Sequence, residues 1–268
     1  MEKEEARSLS LTKRRIDPKR RRATLAGSVL LAMGLLTLVY GFLIEPKWIA
    51  VREIDITNAP SHRIVHISDI HFKGDRNYLV RVIGRINDLS PDFVCITGDL
   101  AEEKKYLDGV LGIIKQIRQP VFGVLGNHDL RNKASLTAIS ACFESTGGAL
   151  VGDHTVVAAT EGVLISGPSS KVPAQDAQGT KRIVLAHFPS TADRFAHESF
   201  DLMLAGHSHG GQVRIPLWGA LIVPSGTGKY EKGYYQTKGG PLYVNVGIGT
   251  WFIPVRFFCR PEITVIRF

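Results

Sequence analysis

Cysteine is scarce in this sequence, and its arrangement supports neither a disulfide framework nor a thiolate metal site. Three cysteines, Cys95, Cys142 and Cys259, are scattered over 268 residues, and no Cys-x-x-Cys pair occurs. This odd, dispersed set excludes a small disulfide-stapled fold and indicates buried apolar side chains. Disorder is excluded as well, because 44% of the residues are hydrophobic and only 22% are charged. No repeat of solenoid length is present.

A basic face of the kind that binds nucleic acid is also missing. The chain has 33 Lys and Arg against 25 Asp and Glu, a formal charge of +8. Residues 1–22 hold nine basic and four acidic side chains, which leaves only +3 for the other 246 residues. Because the excess charge is concentrated in a terminal tail, we expect no nucleic-acid partner.

One long uncharged run follows the basic tail. Residues 23–44 contain no charged side chain, and as a helix this run is about 33 Å long, enough to cross a bilayer core. The basic residues before it predict that 1–22 is a cytoplasmic tail, that 23–44 is a single transmembrane helix, and that the remaining chain is extracytoplasmic. A cleaved signal is the alternative, but no small-x-small site lies between Gly41 and Val51. Arg21-Arg22 loosely resembles a twin-arginine export signal.

The remaining chain is predicted to comprise a polar, proline-containing linker, residues 45–61, and one globular domain, residues 62–268. Strand-like and helix-like runs alternate in the first part of the domain, which indicates a buried, largely parallel sheet. After Gly148 the chain turns to short β-rich runs separated by glycine and proline. These predicted strands are Thr155–Ala159, Val163–Gly167, Ile183–Ala186, Leu202–Ala205, Gln212–Pro216, Leu242–Val246 and Ile263–Phe268. The alternating runs are Arg63–Ser68, Phe93–Thr97 and Val121–Leu125 as strands, with Tyr78–Leu89, Leu107–Ile117 and Lys133–Glu144 as helices.

Polar side chains follow five of the predicted strands. Each group alone is ordinary: Asp-x-His and Asn-His-Asp occur in turns, and a single histidine is more often part of a core. Because ligands bind at the carboxyl ends of parallel strands, the five groups together predict one site. The groups are Asp69 with His71, Asp99, Asn127 with His128 and Asp129, His187, and His207 with His209.

The donor types in this set point to a metal centre. Carboxylates, imidazoles and one amide, without a thiolate, suit Mn, Fe or Zn and disfavour an iron–sulfur cluster or a calcium site. The set has too many donors for one tetrahedral ion, but it suits two ions that share a carboxylate, for which Asp99 is the natural candidate. The seven predicted ligands are Asp69, His71, Asp99, Asn127, His187, His207 and His209.

The ordered series D-x-H, G-D, G-N-H-D, H and G-H-x-H, from Asp69 to His209, resembles the signature of the calcineurin-like metallophosphoesterases. The segment GHSHGGQ at 206–212 resembles a membrane-associated branch that includes twin-arginine-exported phosphoesterases and UDP-2,3-diacylglucosamine pyrophosphatases. The segments at 243–250 and 260–262 resemble the same branch. The resemblance implies an α/β fold, a four-layer αββα sandwich of two mixed β-sheets flanked by helices, here with one N-terminal transmembrane helix.

The resemblance also implies roles for the site residues. It places Asp69, His71, Asp99 and His209 on one divalent ion, and Asp99, Asn127, His187 and His207 on the other. Manganese is the expected metal, with Fe or Zn as alternatives. His128 matches a histidine that stabilises the transition state or protonates the leaving oxygen. Asp129 is expected to orient His128, with a plain turn carboxylate as an equal alternative.

The implied activity is hydrolysis of a phosphodiester or pyrophosphate bond by a metal-activated hydroxide. The expected substrate is a lipid nucleotide, UDP-2,3-diacylglucosamine, as in lipid A biosynthesis. The alternatives are an exported phosphodiesterase or phosphomonoesterase of the cell envelope, and a non-catalytic metal-binding scaffold. The resemblance implies a bacterial inner membrane. The side of this membrane creates a conflict. The lipid nucleotide belongs to the cytoplasmic leaflet, whereas the charge bias places the domain outside.

Two apolar stretches with aromatic residues follow His209. Ile215–Val223 and Thr250–Phe258 are assigned to the sheet core, because strands commonly contain such runs. Contact with an acyl chain or with the bilayer is the alternative. Arg214 and Arg256 are expected to be solvated, with contact to a phosphate as the alternative. The run Glu102–Lys105 is expected to be a solvated helix start.

Overall fold

The structure is a computed structural model that describes residues 18–152, 155–168, 179–195 and 199–268. Most of the predicted basic tail therefore lies outside the described residues. The chain divides into two compact units, Met1–Val39 and Tyr40–Phe268. The α-helices are α1 (Pro18–Val39), α2 (Arg76–Leu89), α3 (Leu107–Ile114), α4 (Asn127–Arg131) and α5 (Leu136–Glu144).

Helix α1 covers most of the predicted transmembrane run. Among the described residues, one stretch, Lys19–Lys47, is long and apolar enough to cross a membrane, with a mean hydropathy of 2.1 and only 6% of its most apolar window buried. A core helix of a soluble protein would be mostly buried. The stretch extends past α1 through a π-helical turn, Tyr40–Ile44, and a 3₁₀ turn, Glu45–Lys47, both of which belong to the second compact unit.

The described residues of the second unit form two six-stranded mixed sheets. The first has the order β1-β14-β2-β3-β4-β5, and its strands β2 to β5 are parallel. Its neighbours β14 and β2 are antiparallel, which makes the sheet mixed. The strands are β1 (Ala50–Asp55), β2 (Arg63–Ile67), β3 (Phe93–Ile96), β4 (Val121–Gly123), β5 (Ala149–Leu150) and β14 (Glu262–Arg267).

The second sheet has the order β12-β13-β9-β8-β7-β6, with parallel pairing from β13 through β7 and antiparallel edge strands. A separate two-stranded pair, β10 with β11, is antiparallel. The strands are β6 (Val156–Thr160), β7 (Val163–Ser166), β8 (Lys181–Leu185), β9 (Leu202–Ala205), β10 (Arg214–Ile215), β11 (Gly219–Ala220), β12 (Gly233–Gln236) and β13 (Pro241–Val244).

In the part of the chain that the structure describes, buried side chains form three apolar layers. The first lies between α2, α3, α5 and the first sheet, the second between the two sheets, and the third on the outer face of the second sheet. Strand β9 shows the alternation, because Leu202 and Leu204 belong to the layer between the sheets whereas Met203 and Ala205 belong to the outer layer. Strands buried on both faces explain the continuous apolar runs in the sequence.

The prediction of two mixed sheets flanked by helices is confirmed. One detail differs from the four-layer expectation: in the described part of the chain, the outer face of the second sheet is covered by a 3₁₀ helix, Pro189–Phe195, rather than by an α-helix. Local signals explain the helices that were expected. Asp75 caps α2 by accepting a hydrogen bond from the backbone N–H of Tyr78, and the helix buries Leu79 and Val82 against the sheet.

The predicted linker, residues 45–61, requires a correction. Ala50–Asp55 form strand β1 at the edge of the first sheet and pair in parallel with β14. The edge position leaves most of its side chains exposed or half-buried, so its sequence has no apolar alternation to predict a strand. Strand β12 was not expected either. The predicted strand at 212–216 is reduced to the two residues Arg214–Ile215.

Candidate metal centre

The loops that follow β2, β3, β4, β8 and β9 meet at one end of the two sheets. They bring together all nine residues that the sequence nominated, and eight of them are buried, with Asn127 half-buried. Three groups of these side chains place their donor atoms within 4.8 Å of one another: Asp69 with His71 and His209, His71 with Asp99 and His128, and Asp99 with His187 and His207.

One half of the site is formed by Asp69, His71 and His209. Nε2 of His71 lies 3.2 Å from Nε2 of His209. Oδ1 of Asp69 lies 3.6 Å from Nε2 of His209 and 4.0 Å from Nε2 of His71. The three side chains therefore direct two imidazole nitrogens and one carboxylate oxygen at a common point.

The other half is formed by Asn127, His187 and His207. Nε2 of His187 lies 2.9 Å from Oδ1 of Asn127 and 3.1 Å from Nδ1 of His207. Two imidazoles and one amide oxygen thus converge in this half, as they would around a second cation.

Asp99 connects the two halves. Its Oδ2 lies 3.4 Å from Nε2 of His71 and 3.4 Å from Nε2 of His187. Its other oxygen, Oδ1, accepts a hydrogen bond from the backbone N–H of His128 at 2.7 Å, which fixes the carboxylate. Gly126 makes this approach possible, because a Cβ there would lie 2.1 Å from Oδ1 of Asp99.

Each of three histidines is oriented by a hydrogen bond on the side away from the cleft. Nδ1 of His71 donates to Oε2 of Glu102 at 2.7 Å. Nδ1 of His187 contacts the carbonyl oxygen of Thr97, and Nε2 of His207 that of Ser225, each at 2.7 Å. A nitrogen that donates outward leaves the other ring nitrogen free to bind a metal, and such partners fix both tautomer and ring position.

Glu102 was expected to be solvated, and this expectation is wrong. An isolated bridge between Phe72 and Ala101 continues the pairing of β2 and β3 beyond the strands, so Glu102 lies beside His71. The one sequence signal for a role of Glu102 at the site was its position, three residues after Asp99.

The backbone at the site is strained. Asp69, His71, Asp99, His207 and His209 all have positive φ values, between 41° and 65°. This left-handed region costs a residue with a side chain about 1–3 kcal/mol. Strain repeated at five convergent positions is typical of a functional site, where the surrounding fold holds side chains in place.

The electrostatics of the cluster favour bound positive charge. Burial lowers the pKa values of His71 and His187, but their hydrogen bonds to Asp99 and the neighbouring carboxylates outweigh burial and raise both pKa values to about 9. Burial raises the pKa of Asp99, but the two imidazoles outweigh it and hold this pKa far below its usual range. A divalent cation would be stabilised by the same carboxylates and would replace the imidazole protons.

An unpaired buried oxygen also fits a metal. Oδ1 of Asp69 is fully buried and has no hydrogen-bond partner among the described residues. Such an atom costs about 1–3 kcal/mol when nothing compensates it. It is directed toward the two facing imidazole nitrogens of His71 and His209. A carboxylate oxygen and two imidazole nitrogens suit Mn, Fe or Zn, so the residues present fit a divalent metal.

His128 and Arg131 lie at the opening of the site. The ring of His128 packs edge-on against that of His71, with centroids 4.6 Å apart. Nη2 of Arg131 lies 2.6 Å from Nε2 and 2.8 Å from Nδ1 of His128. Both side chains line a cleft of about 490 Å³ that also contains Asp99 and Trp251. Arg131 was not predicted, although its position one helical turn after His128 is a usable signal.

The predicted partnership of Asp129 with His128 requires a correction. The carboxylate of Asp129 accepts hydrogen bonds from the backbone N–H groups of Asp99, Leu100 and Gly126 at 2.8–3.0 Å. It therefore ties the loops after β3 and β4 together. Burial, followed by the nearby charge of Asp99, raises the pKa of Asp129 to about 6.

Other expectations for this region are also overturned. Arg256, expected to be solvated, is completely buried and donates to the carbonyl oxygens of Val246, Gly247, Gly249 and Cys259. Arg214 is half-buried and forms an ion pair with Glu231 at 3.0 Å. The two apolar stretches after His209 are not sheet core, because most of their large side chains are exposed; these include Leu217, Trp218, Ile222, Trp251 and Phe252.

Comparison with known proteins agrees with this geometry. The pattern of the calcineurin-like phosphoesterases matches residues 62–211. The chain is 30% identical to the metallophosphoesterase YkuE of Bacillus subtilis, over 88% of this chain and 92% of that protein. It is 27% identical to the phosphodiesterase YaeI of Escherichia coli, over 83% of this chain and 89% of that protein.

A third relative, from Danio rerio, is a transmembrane protein with a metallophosphoesterase domain. It is 28% identical over 84% of this chain and 59% of its own, longer sequence. The family pattern extends over more than half of the chain and ends just after the last histidine of the cleft. The chain belongs to the calcineurin-like metallophosphoesterase family and is a metal-dependent phosphoric-ester hydrolase.

Proposed function

We propose that this protein is a membrane-anchored phosphodiesterase or pyrophosphatase that works with two divalent ions. Asp69, His71, Asp99 and His209 hold one ion in this proposal. Asp99, Asn127, His187 and His207 hold the other, with manganese the first metal to test. The observation that carries the proposal is the position of Oδ2 of Asp99, 3.4 Å from a donor nitrogen in each half of the site.

The ions, when bound, supply a water of lowered pKa and neutralise charge on the phosphoryl oxygens. The protein's own groups complete the site. The guanidinium of Arg131 lines the cleft and presents planar N–H donors to the non-bridging phosphoryl oxygens of a substrate. His128, on the same wall, donates a proton to the leaving oxygen or a hydrogen bond to the phosphoryl group. Asp129 holds the loop from which both side chains project.

The anchor follows from the N-terminal segment. Lys19–Lys47 meets the length and hydropathy requirement for a span, and the relative from Danio rerio is a transmembrane protein. With residues 1–22 as a basic cytoplasmic tail and 62–268 as the catalytic domain, the charge bias predicts a single-pass protein of a bacterial inner membrane with its domain outside.

UDP-2,3-diacylglucosamine is the first substrate to test, because GHSHGGQ at 206–212 resembles that branch and because an apolar groove adjoins the cleft. An exported phosphodiesterase or phosphomonoesterase acting on a cell-envelope substrate is the second candidate. The extracytoplasmic location favours it, since the lipid nucleotide is made on the cytoplasmic side. The relative YaeI is a phosphodiesterase.

The test uses the full-length protein in detergent, loaded with Mn²⁺. We expect two metal ions per chain by elemental analysis and hydrolysis of bis(4-nitrophenyl) phosphate. Asp99→Asn should lose metal and lower the activity by about 10³-fold, because Asn cannot bridge two cations as a carboxylate does. Asp108→Asn, an exposed aspartate on α3, is the matched control and should be unchanged. An Asp99→Asn variant with full activity contradicts the mechanism.

The two substrate candidates are separated by their products. Release of UMP from UDP-2,3-diacylglucosamine supports the lipid-nucleotide assignment. Hydrolysis of the aryl diester without any UMP release supports the second candidate.

A further inference from the structure

An exposed apolar surface surrounds one side of the cleft. It is formed by the exposed apolar side chains of residues 215–222 and 251–258, which we call the apolar rim. Trp218 is 82% exposed, Ile222 73% and Phe252 77%. The two halves of the rim are contiguous, because Leu221 and Ile222 face Trp251 and Phe252 across a groove of about 650 Å³. Apolar patches of this extent mark a surface that binds a partner or a membrane.

Backbone conformation and hydrogen bonds hold the rim in this exposed position. Leu217, Phe252 and Phe258 have φ values of 67°, 53° and 53°, a left-handed conformation that is costly for bulky residues. Gln212 fixes the second half, since its Oε1 accepts from the backbone N–H of Trp251 at 2.5 Å and its Nε2 donates to the carbonyl of Trp251 at 3.1 Å. The fold therefore presents these side chains outward at the cost of backbone strain.

The rim is bonded to the C-terminal part of the candidate membrane span. The ring of Tyr40 packs edge-on against Phe257 at 6.0 Å, and the backbone N–H of Arg256 donates to the carbonyl of Gly41 at 2.9 Å. The buried carboxylate of Glu45 accepts from the backbone N–H of Phe258 at 2.9 Å. All these residues belong to the second compact unit, and Tyr40 to Glu45 lie within the stretch Lys19–Lys47.

The rim also adjoins the metal centre. The groove between its two halves and the catalytic cleft share His209, Pro224 and Trp251. Lys232 lies beside Trp218 and Phe258 around a neighbouring recess, where its ammonium group can meet a lipid phosphate while its stem covers apolar surface. Apolar side chains, a lysine and a membrane segment on one surface match the chemistry of the bilayer interface.

We propose that the apolar rim inserts into the same bilayer that holds the anchor, and that it sets the catalytic cleft at the depth of the lipid head groups. The proposal rests on the membrane anchoring proposed above and is independent of which phosphoester is cleaved. Insertion accounts for exposed Leu217, Trp218 and Phe252, whose apolar surface would otherwise face water. It also explains why the apolar groove opens toward the cleft.

The test measures the depth of one tryptophan in the full-length protein, reconstituted in nanodiscs of phosphatidylcholine and phosphatidylglycerol. The chain has three tryptophans, so Trp48→Phe with Trp251→Phe leaves Trp218 alone. We expect acyl-brominated lipids to quench the emission of Trp218 by more than about twofold relative to unbrominated lipids, because bromine quenches only at contact range. Emission from Trp218 that brominated lipids leave unchanged overturns the proposal.

A matched control places a tryptophan at the other end of the fold. Glu161 is exposed in the turn before β7, whereas His187 and His207 follow the far ends of the parallel strands β8 and β9. In a chain without native tryptophans, Glu161→Trp should show no quenching. If Trp218 is unquenched but its emission changes when two chains occupy one disc, the rim contacts a second copy and the bilayer proposal is wrong.

A second measurement separates docking from catalysis. Leu217→Ser combined with Trp218→Ser alters two exposed side chains that do not line the cleft, so the fold and the rate on soluble bis(4-nitrophenyl) phosphate should be unchanged. Hydrolysis of a phosphoester lipid in vesicles should fall by about tenfold, because apolar surface that enters the interface is lost. Equal rates for variant and parent on the vesicle substrate contradict docking. If the parent chain hydrolyses neither the soluble nor the vesicle substrate, the proposed function is contradicted instead. The quenching of Trp218 then decides by itself whether the rim docks to the bilayer.

Discussion

Glu102 accepts a hydrogen bond from Nδ1 of His71 at 2.7 Å, and this contact determines which nitrogen of the histidine faces the cleft. With Nδ1 donating to the carboxylate, Nε2 is directed at Oδ2 of Asp99, 3.4 Å away. A carboxylate behind an imidazole also makes the ring a stronger ligand. The run Glu102–Lys105 thus contains one carboxylate that supports the centre, followed by three exposed residues.

This contact predicts the effect of neutralising Glu102. Glu102→Gln should weaken binding of Mn²⁺ by about 10–100-fold, because the ring of His71 loses its anionic partner. Titration of the metal-free protein with Mn²⁺ measures the change, and excess metal should restore much of the activity. Glu103→Gln is the control, since Glu103 is exposed and pairs with Lys105. Identical titrations for both variants would show that Glu102 has no part in binding.

The loop role of Asp129 predicts a change in stability. Asp129→Asn replaces one acceptor oxygen of a carboxylate that binds three backbone amides. We expect the free energy of unfolding to fall by about 1–3 kcal/mol, because buried N–H groups lose their partner. Thermal unfolding of the purified chain measures it. His128→Gln is the comparison and should lower activity without this loss of stability. An Asp129→Asn variant that keeps the parental melting temperature contradicts the loop role.

Arg131 is predicted to contact substrate. Arg131→Ala should lower kcat/KM by about 10–100-fold for a phosphodiester, because a guanidinium in the cleft binds phosphoryl oxygens with two parallel hydrogen bonds. Arg131→Lys should recover only part of the loss, since an ammonium lacks the planar pair of donors. Steady-state kinetics with Mn²⁺ test this. Arg118→Ala, an exposed arginine after α3, should leave kcat/KM unchanged.

Glu45 lies in the candidate membrane stretch Lys19–Lys47 and is bonded to the C-terminal part of the domain. Its side chain is completely buried and accepts from the backbone N–H groups of Phe258 and Cys259. Glu45→Ala should destabilise the domain by about 1–3 kcal/mol, since two buried donors lose their acceptor. Chemical denaturation in detergent measures the change. The exposed Glu53→Ala on β1 should alter the stability by less than about 0.5 kcal/mol, and an equal effect of both changes would contradict the prediction.

Short-range patterns predicted the core of the fold well. The apolar run of β3 and the amphipathic repeat of α2 were read correctly to within a few residues, because burial on both faces or on one stripe leaves a local signature. Strand β1 was missed because it pairs with β14, more than 200 residues later in the sequence, and has few buried side chains. Edge strands that depend on a distant partner carry little local signal.

The amino-acid sequence by itself determined the order of the metal-type donors, their position after predicted strands, and an uncharged N-terminal run long enough for a bilayer. These are properties of residue type and spacing, so they can be identified in the sequence without a structure. Tertiary structure alone decided which carbonyls and carboxylates lie behind the imidazoles, and that Arg256 is buried while Trp218 is exposed. The physical reason is distance along the chain. Glu102 and His71 are 31 residues apart and are brought together by the pairing of β2 with β3 in the first sheet. Thr97 and His187 are 90 residues apart and are brought together by the packing of the two sheets.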